Sequence, residues 1–180
     1  MHTPSTVPSL VDRVLDVFDR VAPPPVAQAH CDIPCGIYDP HMAQVAALTV
    51  VRMVQLIQGL EQPGQGASKA DWDTYIMQIS RYSATKEEHA RLCEHELIIL
   101  WTDYFRPEHV EKHPQLHDVV WKTAKLTSTV KQQVNMDAAQ QLLAGCQQIA
   151  EIFWDTKGVK TKRQASNQGQ VGGELVYPTT

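Results

Sequence analysis

Two thiols and an imidazole stand within six positions near the start of the chain, in His30-Cys31-Asp32-Ile33-Pro34-Cys35, and the string runs on through Gly36-Ile37-Tyr38-Asp39-Pro40. The set offers two soft sulfur donors and a ring nitrogen, and a chain cut between Ala29 and His30 would add a free α-amine. Pro34 cannot sit inside a helix and Gly36 favours a turn, so the segment reads as a compact loop able to bring both sulfurs onto one ion. Cys-x-x-x-Cys by itself leaves three plain alternatives: a disulfide, half of a zinc site, or two ordinary loop thiols. An iron–sulfur cluster wants more cysteines than the loop supplies. Two thiolates with nitrogen donors can lie in a plane, a geometry favoured by divalent nickel or copper, whereas zinc prefers a tetrahedron. Thiolate donation also stabilises a higher oxidation state, which makes a one-electron redox metal chemically reasonable.

Other constellations carry less. His109, His113 and His117 are four apart, but Pro107 and Pro114 interrupt the helix that would stack them, leaving a solvated loop surface as the better reading. Glu87, Glu88, His89, Glu94, His95 and Glu96 are rich in ligand types, yet no Glu-x-x-His pair occurs, and a charged outer face accounts for most of them. Cys93 and Cys146 fall inside expected helices and read as small buried hydrophobes. There is no Gly-rich phosphate loop, no Gly-x-Ser-x-Gly elbow and no His-Glu-x-x-His.

The elements that must position the loop are helical. A chain of 180 residues, 43% hydrophobic and 20% charged, suffices for one packed domain. Asp39-Pro40 starts a helix as N-cap and first helical residue, and Val45, Leu48, Thr49, Met53, Leu56 and Leu60 keep it amphipathic to about Gly59. Residues 62–68 form a turn. A second helical stretch carries Trp72, Ile76, Ile79 and Tyr82, restarts or kinks at a Thr85/Glu88 capping box, and ends at Pro107. A third follows Pro114, and a fourth, capped by Asn135 or Asp137, carries a wide apolar stripe to Lys157-Gly158. No alternating run of strand length competes, so the fold class predicted is all-α, an antiparallel four-helix bundle with an N-terminal metal-binding loop. Residues 158–180, polar and almost without period, read as a disordered tail.

Residues 1–29 read as a separate piece. Leu10, Val14, Val17, Phe18 and Val21 make a short amphipathic helix that Pro23, Pro24 and Pro25 end. The acidic residues at 12, 16 and 19 do not fit a secretory signal. It is either a first helix packed on the domain or a removable leader, and Ala27-Gln28-Ala29 places small residues at the end of such a leader. A net charge of -4 gives no polybasic surface for nucleic acid or anionic membrane. No apolar stretch approaches the ~18 residues of a membrane span, so the expectation is a soluble protein of a reducing compartment.

The string from His30 to Pro40 resembles the nickel-binding hook of the nickel-containing superoxide dismutases, whose mature chains start with His-Cys-Asp. Leu100-Trp101-Thr102-Asp103-Tyr104-Phe105-Arg106-Pro107 is similar to that family's Leu-Trp-Ser-Asp-Tyr-Phe-Lys-Pro. Glu111-Lys112-His113-Pro114-Gln115-Leu116-His117 and Ile152-Phe153-Trp154-Asp155-Thr156-Lys157 follow in the family's order, so the resemblance covers roughly residues 30–157. It implies one nickel ion per chain. His30 would give its α-amine and imidazole, Cys31 its thiolate and backbone amide, and Cys35 the second thiolate, with divalent nickel square planar and trivalent nickel taking the His30 ring as a fifth ligand. The implied activity is the disproportionation of superoxide to dioxygen and hydrogen peroxide by cycling between those two states.

The same resemblance implies removal of residues 1–29 by a processing peptidase, a homohexamer and a cytoplasmic location. Tyr38 matches the tyrosine over the open metal face, and Asp32 and the peptide before Pro34 match those that shape the loop. Tyr104 matches a tyrosine just outside the ligands, and Arg106 stands where relatives commonly carry lysine, keeping a charge that can attract an anion. Where relatives commonly place a glutamate and an arginine to orient the axial imidazole, this chain has Ala46 and His89. The competing classes are a helical protein that stores or senses nickel or copper without turnover, and a thiol switch using Cys31 and Cys35.

Overall fold

The computed structural model describes residues 36–179, so the ligand string up to Cys35 and the expected leader lie outside the described residues. The chain is mostly helical: α1 (His41–Gln58), α2 (Lys69–Ile99), a π-helical turn (Leu100–Tyr104), α3 (Pro107–Lys112), α4 (Leu116–Gln132) and α5 (Met136–Thr156), followed by strands β1 (Thr161–Ala165) and β2 (Glu174–Pro178). Helix α1 starts where a proline ends the loop: the Asp39 carboxylate accepts the His41 N–H at 2.7 Å, and the Pro40 carbonyl accepts from Gln44 N–H at 3.3 Å. Its inner face is small and aliphatic, with Ala43, Ala46, Ala47, Val50 and Val54 all within 1% of full burial. Helix α1 packs on α2 and α5, and α4 packs on the same two.

Helix α2 is one unbroken element. Its start is a capping box in which Ser68 and Asp71 bond each other's backbone N–H groups at 3.2 and 2.9 Å. The restart expected at Thr85/Glu88 does not occur. Backbone N–H groups there already bond the preceding turn, so a capping box has nothing to satisfy. The buried line along α2 is Lys86, Ala90, Cys93 and Leu97, a helical spacing in which the first member is charged. Lys86 Nζ donates to the carbonyls of Val130, Lys131 (3.1 Å) and Gln133 (3.2 Å), the open C-terminal end of α4. An ammonium there meets both the unpaired carbonyls and the negative end of the helix dipole. Burial in turn pulls its pKa below the ordinary lysine value, partly opposed by Glu87.

Cys93 and Cys146 meet inside the core, Sγ to Sγ 3.4 Å, and the Cys146 thiol is pushed well above its ordinary pKa by that contact and by burial. They are inert core residues, as expected. Where α4 crosses α5, the Thr123 side chain lies directly over Gly145 and leaves no room for a Cβ.

The expected disordered tail is instead an antiparallel hairpin, with Arg163 opposite Val176 in its centre. Leu175 and Val176 are buried against the helices, and Gln147 Nε2 donates to the Glu174 carbonyl at 2.6 Å. The fully buried Gln44 side chain pairs with Val176 on both sides, accepting its N–H at 2.7 Å and donating to its carbonyl at 3.2 Å. An apolar pair and a satisfied buried amide hold what composition alone leaves loose. We predict that Gln44→Ala, which leaves the Val176 N–H and carbonyl unpaired beside a cavity, lowers stability by about 2–4 kcal/mol in urea unfolding.

Candidate metal centre

The described part of the candidate centre begins at Gly36, whose φ of 83° is the left-handed conformation that glycine adopts without strain. The chain thus turns at Gly36. Ile37 then projects outward, 80% exposed, and Tyr38 folds back onto the core. The Tyr38 ring lies 5.7 Å from that of Tyr104, centroid to centroid, so two of the residues named from the sequence come together across 66 positions of chain.

Tyr104 ends the π turn. The Phe105 N–H reaches back five residues to the Leu100 carbonyl at 2.9 Å, which adds a residue to the last turn of the α2 rod and re-aims Tyr104 and Phe105. The Tyr104 ring packs on Phe153 of α5 at 4.4 Å and stacks on His109 at 5.5 Å, with planes 22° apart. Its hydroxyl lies 2.6 Å from Thr156 Oγ1. The Lys157 ammonium sits 4.7 Å from the Phe153 centroid, 5.5 Å from Tyr104 and 5.7 Å from Trp154, a cation over a wall of rings. Arg106 is exposed two residues past Tyr104. Sequence reasoning assigns no role to Thr156 or Lys157, and it weighs His109 only as a metal ligand. The motif Ile152–Lys157 contains the first two without showing that the end of α5 reaches the π turn.

The remaining candidates are distributed as follows. His89 is half-buried on α2, with Nδ1 3.0 Å from the Thr85 carbonyl of its own helix, which leaves Nε2 to face another group. Ala46 is buried on α1 at 1% exposure. His30, Cys31, Asp32, Pro34, Cys35 and the expected cut after Ala29 lie outside the described residues. The three spaced histidines do not converge: His109 stacks on Tyr104, His113 Nε2 lies 2.9 Å from Asp155 Oδ2, and His117 meets the edge of Trp101 at 5.5 Å. His109 and His113 are half-buried and brace the π turn and α3, whereas His117 stays on the exposed surface expected. Among the described residues no group of three or more His, Cys, Asp or Glu could hold a metal ion. Two thiols and an imidazole, the set expected at His30, Cys31 and Cys35, have the chemistry that suits a nickel ion.

The chain matches the profile of the family described as nickel-containing superoxide dismutase over residues 25–157. The superoxide dismutase [Ni] of Streptomyces coelicolor is 37% identical over 136 residues, spanning 76% of this chain and 94% of the relative. That of Streptomyces seoulensis is 37% identical over the same shares. A solved native structure of nickel superoxide dismutase, 36% identical, covers 71% of this chain and 99% of its own, with a TM-score of 0.60. Fold and relatives together define a nickel-dependent oxidoreductase. The chain belongs to the nickel-containing superoxide dismutase family, and its reaction is the disproportionation of superoxide. The family profile ends at 157, so the C-terminal hairpin lies beyond it.

Asp155 ties α3 to the end of α5, with Lys112 Nζ at 2.7 Å and His113 Nε2 at 2.9 Å from its Oδ2. The hydrogen bond from Lys112, with a smaller contribution from His113, holds the Asp155 carboxyl below its ordinary value of 3.8. A folded-state pKa below the unfolded one stabilises fully above that ordinary value, and the contribution is lost as pH falls through the depressed one. Asp155→Asn is therefore expected to melt at a lower temperature than the parent near neutral pH, with the difference disappearing in acid below pH 3.8.

Proposed function

We propose that nickel is held by the α-amine and imidazole of His30 and the thiolates of Cys31 and Cys35, in a chain cut between Ala29 and His30. The observation that carries this reading is the continuity of the string: it passes from those donors through the Gly36 turn directly into Tyr38, which packs against Tyr104. Bound nickel supplies the one-electron couple that lets one superoxide be oxidised and a second reduced. The chain supplies the rest. The Tyr38 and Tyr104 phenols border the approach and order water for the two protons that peroxide formation consumes. Asp32 and Pro34 shape the loop. Arg106 and Lys157 set positive charge beside Tyr104 and draw the anion inward over a protein of net charge -4. His89 lends its free ring nitrogen to orient the His30 imidazole where relatives use arginine, and Ala46 stands where relatives use glutamate.

The helices form a four-helix bundle around this centre. Support comes from α1 and α4 each packing on both α2 and α5, which closes a ring of four. The working assembly is a cytoplasmic homohexamer, produced after a peptidase removes residues 1–29. Exposed apolar side chains beside the loop, Ile37 at 80% and Met42 at 50%, suit a surface that a neighbouring subunit covers. Exclusion of bulk water there would also limit oxidation of the thiolates by the peroxide produced.

The test compares protein beginning at Met1 with protein beginning at His30 by intact mass, metal content and superoxide turnover. The expected result is about one nickel per chain and full turnover only in the shorter form, with Cys31→Ser and Cys35→Ser each losing the metal. Equal nickel content and turnover in the uncut form would remove the α-amine from the ligand set.

A further inference from the structure

Thr156 is the last residue of α5, and its hydroxyl stands between two oxygens, the Phe153 carbonyl and the Tyr104 phenol, each at 2.6 Å. The carbonyl can only accept. At this helix end the Lys157 N–H that would have bonded Phe153 turns to the Trp154 carbonyl at 3.1 Å, so Phe153 depends on the Thr156 hydroxyl for its donor. A threonine has one hydroxyl proton, and that proton is committed to Phe153. The contact with Tyr104 then has only one direction: the phenol donates and Thr156 Oγ1 accepts.

We propose that Thr156 is a positioning residue that holds the Tyr104 proton on its own oxygen, so that Tyr104 Oη meets any further partner at the site only as a hydrogen-bond acceptor. This rests on the placement of Tyr104 beside the nickel loop. An oxygen presenting lone pairs holds a partner that carries its own proton, namely water or hydrogen peroxide, and gives a bare anion nothing to accept. Attraction of superoxide is thereby left to the cations, Arg106 and Lys157, while Tyr104 orders the water from which protons are drawn. The ring itself is held by Phe153, His109 and Tyr38, so only the hydroxyl direction depends on Thr156.

Azide, a linear anion with no proton to donate, reads that direction. Its binding to the nickel-loaded enzyme is measured by calorimetry, alongside superoxide turnover, for Thr156→Val, Thr156→Ser, Tyr104→Phe and the Tyr104→Phe/Thr156→Val pair. Thr156→Val frees the phenol proton to turn toward the site, and azide affinity is expected to rise about tenfold, the size of one hydrogen bond to a charged group. Thr156→Ser, which keeps the hydroxyl, should bind azide as the parent does, and Thr156→Val should have no effect once Tyr104 is phenylalanine. Unchanged or weaker azide binding in Thr156→Val, or the same gain in the Tyr104→Phe background, overturns the assignment. If Tyr104→Phe alone alters neither azide binding nor turnover, the placement of Tyr104 at the site fails, and this inference with it. An effect of Tyr104→Phe without one of Thr156→Val removes only the role of Thr156.

Discussion

The contact between Tyr104 and Phe153, ring centroids 4.4 Å apart, joins the end of α2 to the last turns of α5, and the surroundings of Tyr38 are built outward from it. The π turn is what makes the contact. A regular helix through Leu100–Tyr104 would rotate Tyr104 to a different face, and the extra residue in the turn changes that angle. Once the ring is seated, His109 stacks on it from α3, Tyr38 approaches from the exit of the loop, and Lys157 lies over it from the end of α5. The segment before α1, the π turn with α3, and the end of α5 thereby share one side chain. Aromatic packing of this kind adds about 0.5–1.5 kcal/mol per pair beyond area burial, and its geometric effect is to leave the phenol few orientations.

The helices are largely legible in the sequence because their punctuation is chemical. Pro40, Pro107, Pro114, Asn135 and Gly158 mark ends for reasons of backbone geometry, and the Ala- and Val-rich face of α1 and the Leu, Ile and Phe stripe of α5 repeat at helical spacing. Helix α2 is harder to read as one element. Its buried line contains Lys86 and Cys93, while Ile76, Met77 and Ile98 on its surface are exposed, so hydrophobicity does not trace its inner face. The hairpin escapes notice for a related reason. Leu175 and Val176 are adjacent and both buried, which erases the alternation expected of a strand with one wet face. Part of what holds β2 in place is a glutamine more than a hundred residues away, and no local pattern encodes that.

The candidate centre divides along the same line. Its proposed donors are a short contiguous string, and contiguous strings can be read directly. Its surroundings depend on where the end of α5 falls relative to the π turn, a property of packing. Tyr104 can be named because its motif is distinctive. The roles of Thr156 and Lys157 require the crossing of two helices. The separation of the spaced histidines requires a break at His113 that proline hints at, but whose new partners, Asp155 and Trp101, it cannot supply.

The bond pair between Gln44 and Val176 spans 132 positions, from the first turn of α1 to the last strand. During synthesis from the N-terminus, α1 emerges 132 positions ahead of the Val176 backbone groups that its buried amide pairs with. Until β2 emerges, that amide must bond water, and the surface meant for Leu175 and Val176 stays open. The packing around α1 is thus completed only when β2 arrives. A long-range closure of this type also raises contact order, so hairpin docking belongs among the late, slow events of folding, after the helices have assembled.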